Sequence, residues 1–305
     1  MKKMVLTVIL SVIAAFAADA QKSIFTESDM KAFSAVNISD EFVVTLKESE
    51  DYVLKTNIDE RIDSYVAAYV KDGVLYLNIE RKKFTPELKK ALRNVHGKNP
   101  VIEAEIWAPF LKSVIISGNA AITGSDDIKT DSFELNASDK ASVANMEVIC
   151  KTAEVKVSKG AEVDVEINAS SDLSFSSAGT SKTFINVKAN SLTLASSGSS
   201  TVEAVVDVED MKVDNSGMSN VKVVSGKTGS LMVNASGSAK FNSGDVVIPT
   251  AYMIQSGSSK SLVNVSDTLK VNLVGNSTLE FKDNPFIDLE RIVSSTLTRY
   301  LESSK

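Results

Sequence analysis

The 305 residues suffice for one large domain or two ordinary ones, and 43% hydrophobic with 24% charged residues describes neither a disordered tail nor a multi-span membrane protein. Lys and Arg number 33 against 39 Asp and Glu, and the formal charge of -6 lacks the basic footprint that a dedicated nucleic-acid binder needs. One histidine, His96, and one cysteine, Cys150, exclude a His/Cys zinc cluster and a disulfide framework within the chain.

The chain opens MKKMVLTVILSVIAAFAADAQK. Lys2 and Lys3 precede an apolar core from Met4 to Ala18, and Ala18-Asp19-Ala20 has the small-x-small form of a cleavage site. Residues 1–20 therefore read as a signal peptide, 21–30 as a linker, and the mature chain is expected to begin at Gln21. No cysteine follows the cleavage site to carry a lipid, and no later apolar stretch approaches the ~20 residues of a membrane-spanning helix. An exported protein is expected, in the periplasm, at the outer membrane or on the cell surface.

Residues 31–110 are strand-like. FVVTL (42–46) and YVLKT (52–56) are apolar-rich runs, and VAAYV and VLYLNI flank Asp72-Gly73, a two-residue hairpin signal. Thr85-Pro86 reads as an N-cap followed by Pro at the first helical position, predicting a short helical insert over 85–96. VIEAEIW (101–107) then alternates until Pro109. The region is expected to form irregular first coils that cover one end of the stack described next.

From residue 111 a segment recurs: SGNAAI at 117, SDKASV at 138, SKGAEV at 158, AGTSKT at 178, SGSSTV at 197, SGMSNV at 216, SGSAKF at 236, SGSSKS at 256 and VGNSTL at 274. The spacings are 21, 20, 20, 19, 19, 20, 20 and 18 residues, the signature of a solenoid. Counting from the first residue of each segment, position +3 is always Ala or Ser, as at Ala120, Ser200 and Ser277, which fits a crowded inward corner. Position +1 is Gly in seven copies, with Asp139 and Lys159 in the others, as a turn with positive φ would favour. Position -3 is apolar throughout, from Val114 to Val271, between mostly polar neighbours at -4 and -2, and position +5 is apolar in seven copies. This is the period-two pattern of strands with one face in a core.

Twenty residues at ~3.3 Å give a coil perimeter of ~66 Å, suited to a three-sided parallel β-helix, and nine coils at ~4.8 Å span ~43 Å. A propeller blade would need twice the period. Regular repeats are expected over 111–282, within a single β-solenoid domain spanning 31–300, with the serines at position 0 stacked into a hydroxyl ladder between coils. The tail at 283–305 reads as a cap in either of two ways. Phe286, Leu289, Val293, Leu297 and Tyr300 make a helical stripe, yet Ser294-Ser295 stands in register for a further coil.

The runs FSAVNISDEFVVTL (33–46), YVKDGVLYLNI (69–79), IWAPFLKSVIISGNAAI (106–122), the serial Ser-Gly segments and FKDNP (281–285) together resemble the auto-transporter adhesin head GIN domain family of Bacteroidetes, a domain of unknown function. The resemblance covers roughly residues 31–300. It implies an all-β, right-handed parallel β-helix and an exported Gram-negative protein with an adhesin label, and it supplies no catalytic residues.

Two surface sites are candidates. Asp126 and Glu147 share position +9 of adjacent coils, with Asp127 beside them, and stacked carboxylates of this kind hold a cation or run acid/base chemistry in β-helical polysaccharide enzymes. The same column offers no Arg or His partner and continues with Ile167 and Val187, so a solvated acidic edge competes with that reading. Met232, Tyr252 and Ile254 occupy otherwise polar outward positions and would make an apolar stripe suited to a sugar ring or a partner, unless the tail covers it. Trp107 reads as core or edge packing, His96 as a solvated linker residue and Cys150 as buried and inert. The serines of position 0 lack an adjacent base and read as structural.

The expectation is thus a non-enzymatic, adhesin-like binding scaffold of the cell envelope or surface, with a glycan or protein ligand and no nucleic acid, cofactor or metal. A polysaccharide-active lyase or hydrolase and a periplasmic envelope-maintenance protein stand as alternatives.

Overall fold

The structure, a computed structural model, describes residues 22–93 and 100–300; the leader expected at 1–20 and His96 lie outside the described residues. The chain winds into an all-β solenoid of about nine turns with about 20 residues per coil. The long strands Lys182–Ser196, Thr201–Asn215, Asn220–Ala235, Lys240–Gln255 and Lys260–Val274 pair in parallel, each with the one a coil away.

The repeat columns map onto this winding. Inside Thr201–Asn215, Val202, Ala204, Val206, Val208, Met211 and Val213 face inward, and the corner at Glu209–Asp210 is exposed. All nine residues at position +3 are at most 1% exposed, because each points into the corner between successive coils. The core formed by these columns runs the length of the stack as one cluster, and removing this apolar surface from water drives the winding.

Every residue at position +1 has positive φ, from 60° at Lys159 to 82° at Gly275. The next N–H in each turn donates to the position +1 carbonyl one coil earlier, as from Met218 to Gly198 and from Ser238 to Gly217, both at 2.7 Å. Glycine serves here twice over, since it adopts the left-handed backbone freely and leaves room for the approaching coil. Lys159 holds that conformation with a side chain, at a strain of about 1–2 kcal/mol. Its ion pair with Asp139 (2.6 Å) is solvent-exposed and returns little of this. Lys159→Gly is therefore expected to raise stability by about 0.5 kcal/mol after the entropy of an unfolded glycine is subtracted. Lys159→Ala keeps the strain and is expected to gain nothing. A melting series in which the alanine variant is the more stable would refute this account of the turn.

The column begins earlier than the repeats suggested. Asp40 has φ 64°, its carbonyl accepts the Asn119 N–H (2.7 Å), and Ser39-Asp40-Glu41-Phe42 is a turn with Phe42 in the corner. Phe42 is fully buried in this corner.

The hydroxyl ladder lies elsewhere than at position 0. Bonded hydroxyls are those of position +3, meeting buried polar residues at position -1: Ser181 with Ser177 (2.8 Å), Ser200 with Ser196 (2.9 Å) and Ser219 with Asn215. Position 0 lies at the outer end of the leg, whereas +3 and -1 face each other inside. A buried hydroxyl without a partner is costly, so the two columns turn polar together in these three coils. Ser277, with apolar Leu273 at its position -1, meets Ser295 Oγ at 3.1 Å instead.

At the N-terminal end the chain makes one coil and then leaves the helical path. The elements are β1 (Ser23–Asp29), β2 (Ala35–Ile38), β3 (Val43–Glu48), β4 (Val53–Asp59), β5 (Val66–Lys71), β6 (Val74–Ile79), α1 (Pro86–Arg93), β7 (Ile102–Ala108), β8 (Ser113–Ile116) and β9 (Ala121–Ser125). β2 and β3 carry β8 and β9 on one side, in parallel. On the other side β6 and β7 extend them, in parallel again, and antiparallel β5 and β4 continue outward, with β1 beyond β4. The β5–β6 hairpin turns at Asp72-Gly73, both at positive φ, and stacks Tyr69 on Tyr76 at 5.2 Å. Helix α1 starts at Pro86, with Thr85 Oγ1 accepting the Leu88 N–H (3.2 Å). Near the end of β4, Asp59 is fully buried and is gripped by the Arg61 guanidinium.

Among its described residues the tail forms no helix. Strand Phe286–Val293 pairs with Lys260–Val274, and strand Thr296–Arg299 pairs with Thr278–Lys282. Ser294 supplies the positive φ, and Ser295 Oγ lies 3.1 Å from Ser277 Oγ. The open ladder of the preceding coil satisfies this segment's backbone groups, and its β-branched Ile287, Ile292, Val293 and Thr296 suit a strand.

Candidate functional site

The outward face of β1, β4, β7, β3 and β9 curves into a groove of about 880 Å³. The twist of the antiparallel strands against the parallel stack makes it concave. Register fixes its floor in rows. In one row Phe25 stands opposite Asn57, Asn57 opposite Glu103, and Glu103 opposite Val43. Phe25 and Val43, 52% and 41% exposed, flank a polar centre in which Asn57 Nδ2 donates to Glu103 Oε2 at 2.8 Å. Asn57 Oδ1 is buried without a hydrogen-bond partner among the described residues. The next row is Glu27, Lys55, Glu105 and Thr45, with Lys55 Nζ 3.4 Å from Glu27.

Trp107, expected in the core or at an edge, faces outward beside this row. Its Nε1–H donates to Glu105 Oε2 (3.2 Å), and Lys55 Nζ lies 5.0 Å from the ring centroid. Glu105 thus holds the tryptophan, and the ring and Glu27 hold Lys55. The groove combines apolar side chains with amide, carboxylate and ammonium groups on a rigid sheet, a composition suited to ring-shaped, hydroxyl-bearing ligands. Sequence reading passed it over because its strands alternate like any half-buried strand. Phe25 stands far from Glu103 along the chain, and only pairing between strands distant in sequence gathers Phe25, Glu103 and Val43.

The carboxylate pair is arranged differently from its sequence register. Asp126 turns toward β3, where the Glu48 N–H (3.0 Å) and Lys47 Nζ (3.2 Å) hold its carboxyl below the usual carboxylate range. The Asp126 carboxylate therefore has the cationic partner that its column lacked. Between Val143 and Met146 the ladder slips by one residue, so Glu147 stands beside Glu166 rather than Ile167. Asp127 and Glu147 line a shallow depression of about 370 Å³ with Glu166 and Asp164. Among the described residues no group of three or more His, Cys, Asp or Glu is placed to hold a metal ion.

Met232 and Tyr252 are ladder neighbours, and Ile254 lies on the same outward face, all three half-buried. The following coils supply polar cover. Tyr252 OH donates to Glu290 Oε2 (2.7 Å), and Lys270 Nζ sits 4.9 Å from the tyrosine ring and 2.6 Å from Glu290. The Glu290 carboxylate pushes the Tyr252 hydroxyl above its ordinary pKa, and the Lys270 ammonium holds Glu290 below its own. Cys150 is buried, and burial pushes its thiol up. Among the described residues no helix is long and apolar enough to cross a membrane.

Solved structures with this winding include a "putative adhesin" from Parabacteroides distasonis, 12% identical, with TM-score 0.53 over 92% of this chain and 97% of that one. A "putative adhesin" from Bacteroides fragilis is 15% identical, with TM-score 0.45 over 92% and 98%. A "putative lipid binding protein" from P. distasonis is 16% identical, with TM-score 0.45 over 91% and 96%. At such identities the first likeness speaks to the fold alone. Among proteins of curated function none matches the chain. The family described as "Putative auto-transporter adhesin, head GIN domain" matches in two overlapping stretches, residues 32–171 and 154–285, and the chain belongs to that family.

Proposed function

We propose that the protein is an exported, non-enzymatic, adhesin-like scaffold that holds an uncharged glycan chain in the outward N-terminal groove. The supporting observation is the row Phe25–Asn57–Glu103–Val43, in which exposed apolar groups flank a hydrogen-bonded amide–carboxylate centre whose Glu103 is exposed. A sugar ring would stack on Phe25 while its hydroxyls meet Asn57 and Glu103. Glu27, Asp29, Glu103 and Glu105 against Lys55 disfavour uronic or sulfated chains. The adhesin description of the family agrees with a binding role.

Titration calorimetry with neutral and uronic-acid-bearing oligosaccharides tests the reading. Neutral chains are expected to bind, Phe25→Ala and Asn57→Ala each to weaken them by about tenfold or more, and Tyr252→Ala to leave them unchanged. Loss of binding in Tyr252→Ala alone would move the site to the C-terminal stripe. Release of new reducing ends would favour the polysaccharide-active enzyme instead. Protease digestion of the protein on intact source cells is expected, and protection until lysis would reject surface display.

A further inference from the structure

We infer that the C-terminal end of the stack is an interface between two copies of this chain, joined tail to tail about a two-fold axis. Among the described residues, strand Phe286–Val293 has ladder partners on one side only, in Lys260–Val274. Its other edge offers a row of backbone donors and acceptors to a further strand. The core columns are open here as well. Val271 and Leu273 are fully buried, whereas their successors Leu289 and Ile292 are 56% and 36% exposed. Phe286 and Val293, at the ends of the strand, are also exposed.

The strand is complementary to itself. The ladder slips between Val271 and Asn272, leaving Glu290 as an extra residue. Antiparallel pairing about an axis at Leu289–Glu290 sets Ile287 opposite Ile292, Asp288 opposite Arg291 and Phe286 opposite Val293. Because the bulge shifts the alternation by one, both members of each of these three pairs lie on one face, the Leu289–Glu290 contacts at the axis being the exception. Ile287 and Ile292 continue inward columns, while Asp288 and Arg291 continue outward ones. The two-fold generates the Asp288–Arg291 pair twice. Opposite charges and apolar pairs directly across an antiparallel ladder are the stabilising combinations. Such an interface closes at two copies. The dimer would present two N-terminal grooves and so bind a repetitive ligand with avidity.

Sedimentation equilibrium of the mature chain over a wide concentration range tests this, with twice the monomer mass expected. Asp288→Arg and Arg291→Asp, both at exposed positions, are each expected to raise the dissociation constant by about tenfold or more through two like-charge pairs. The double swap is expected to restore it. A monomer at every concentration, a dimer indifferent to the single variants, or a double swap that fails to recover would each overturn the proposal. Hydrogen exchange on the unmodified protein gives an independent reading. Amides of Phe286–Val293 are expected to gain protection as concentration rises, and constant exchange would count against the interface.

Discussion

Gly226→Ala is expected to destabilise the middle coils by about 3 kcal/mol or more, the range of a strained backbone combined with a steric conflict. Gly226 has φ +113°, and an added Cβ would lie 1.8 Å from the Val206 carbonyl oxygen of the preceding coil. The obstruction is backbone, so no rotamer change relieves it. The geometry arises because the ladder slips at Ala204/Val205, leaving Val224 as an extra residue just before Gly226. Either the coil shifts or the pairing of Val206 with Gly226 opens. Gly217→Ala should cost less, since its Cβ would meet Gly198 oxygen at 2.8 Å and the chain already accepts side chains at Asp139 and Lys159 in that column. Solenoids unfold in segments, so hydrogen exchange at residues 205–208 and 225–228 is the appropriate measurement beside a melting curve. Native protection there, with an unchanged melting temperature, would refute the prediction.

Phe175→Ala is expected to cost about 3–5 kcal/mol, the range for a large aromatic removed from a core that cannot collapse around the cavity. Phe175 is 1% exposed between its column neighbours Val155 and Leu194, both fully buried. The parallel ladders hold coil spacing nearly constant, so neighbouring coils cannot close on the void. Phe175→Leu should lose only about 1 kcal/mol, because most of the volume stays. Denaturant unfolding of both variants checks this. A loss under about 1 kcal/mol for the alanine variant would mean that the coils can settle along the axis.

Much of the winding was legible before any coordinates. The small residues at +3, the apolar column at -3 and the glycines at +1 each encode a local requirement that repeats every coil: a corner, a core face and a left-handed turn. Residues with the same job align in sequence because they stack in space. The first coil escaped notice because Ser39-Asp40-Glu41-Phe42 has an aspartate for the glycine and a phenylalanine in the corner. The end of a stack relaxes the rule that its middle enforces. Asp126 and Glu147 were misaligned because a period counts residues, whereas the bulge at Val143/Met146 changes how many residues span the same distance.

The sequence by itself determined the coil length, the inward columns and the handedness of each turn's backbone, since these follow from side-chain size, polarity and φ within one repeat. Tertiary structure alone decided the rest. Antiparallel pairing of β1, β4 and β7, with β3 in parallel beside β7, brought Phe25, Asn57, Glu103 and Val43 from four separate strands into one row. The face-to-face meeting of positions +3 and -1 made their hydroxyls the bonded ladder. The exposed ladder of the preceding coil drew Phe286–Val293 into a strand, although its apolar spacing suits a helix equally well. In each case the deciding energy is a contact between segments distant in sequence, which no local pattern records.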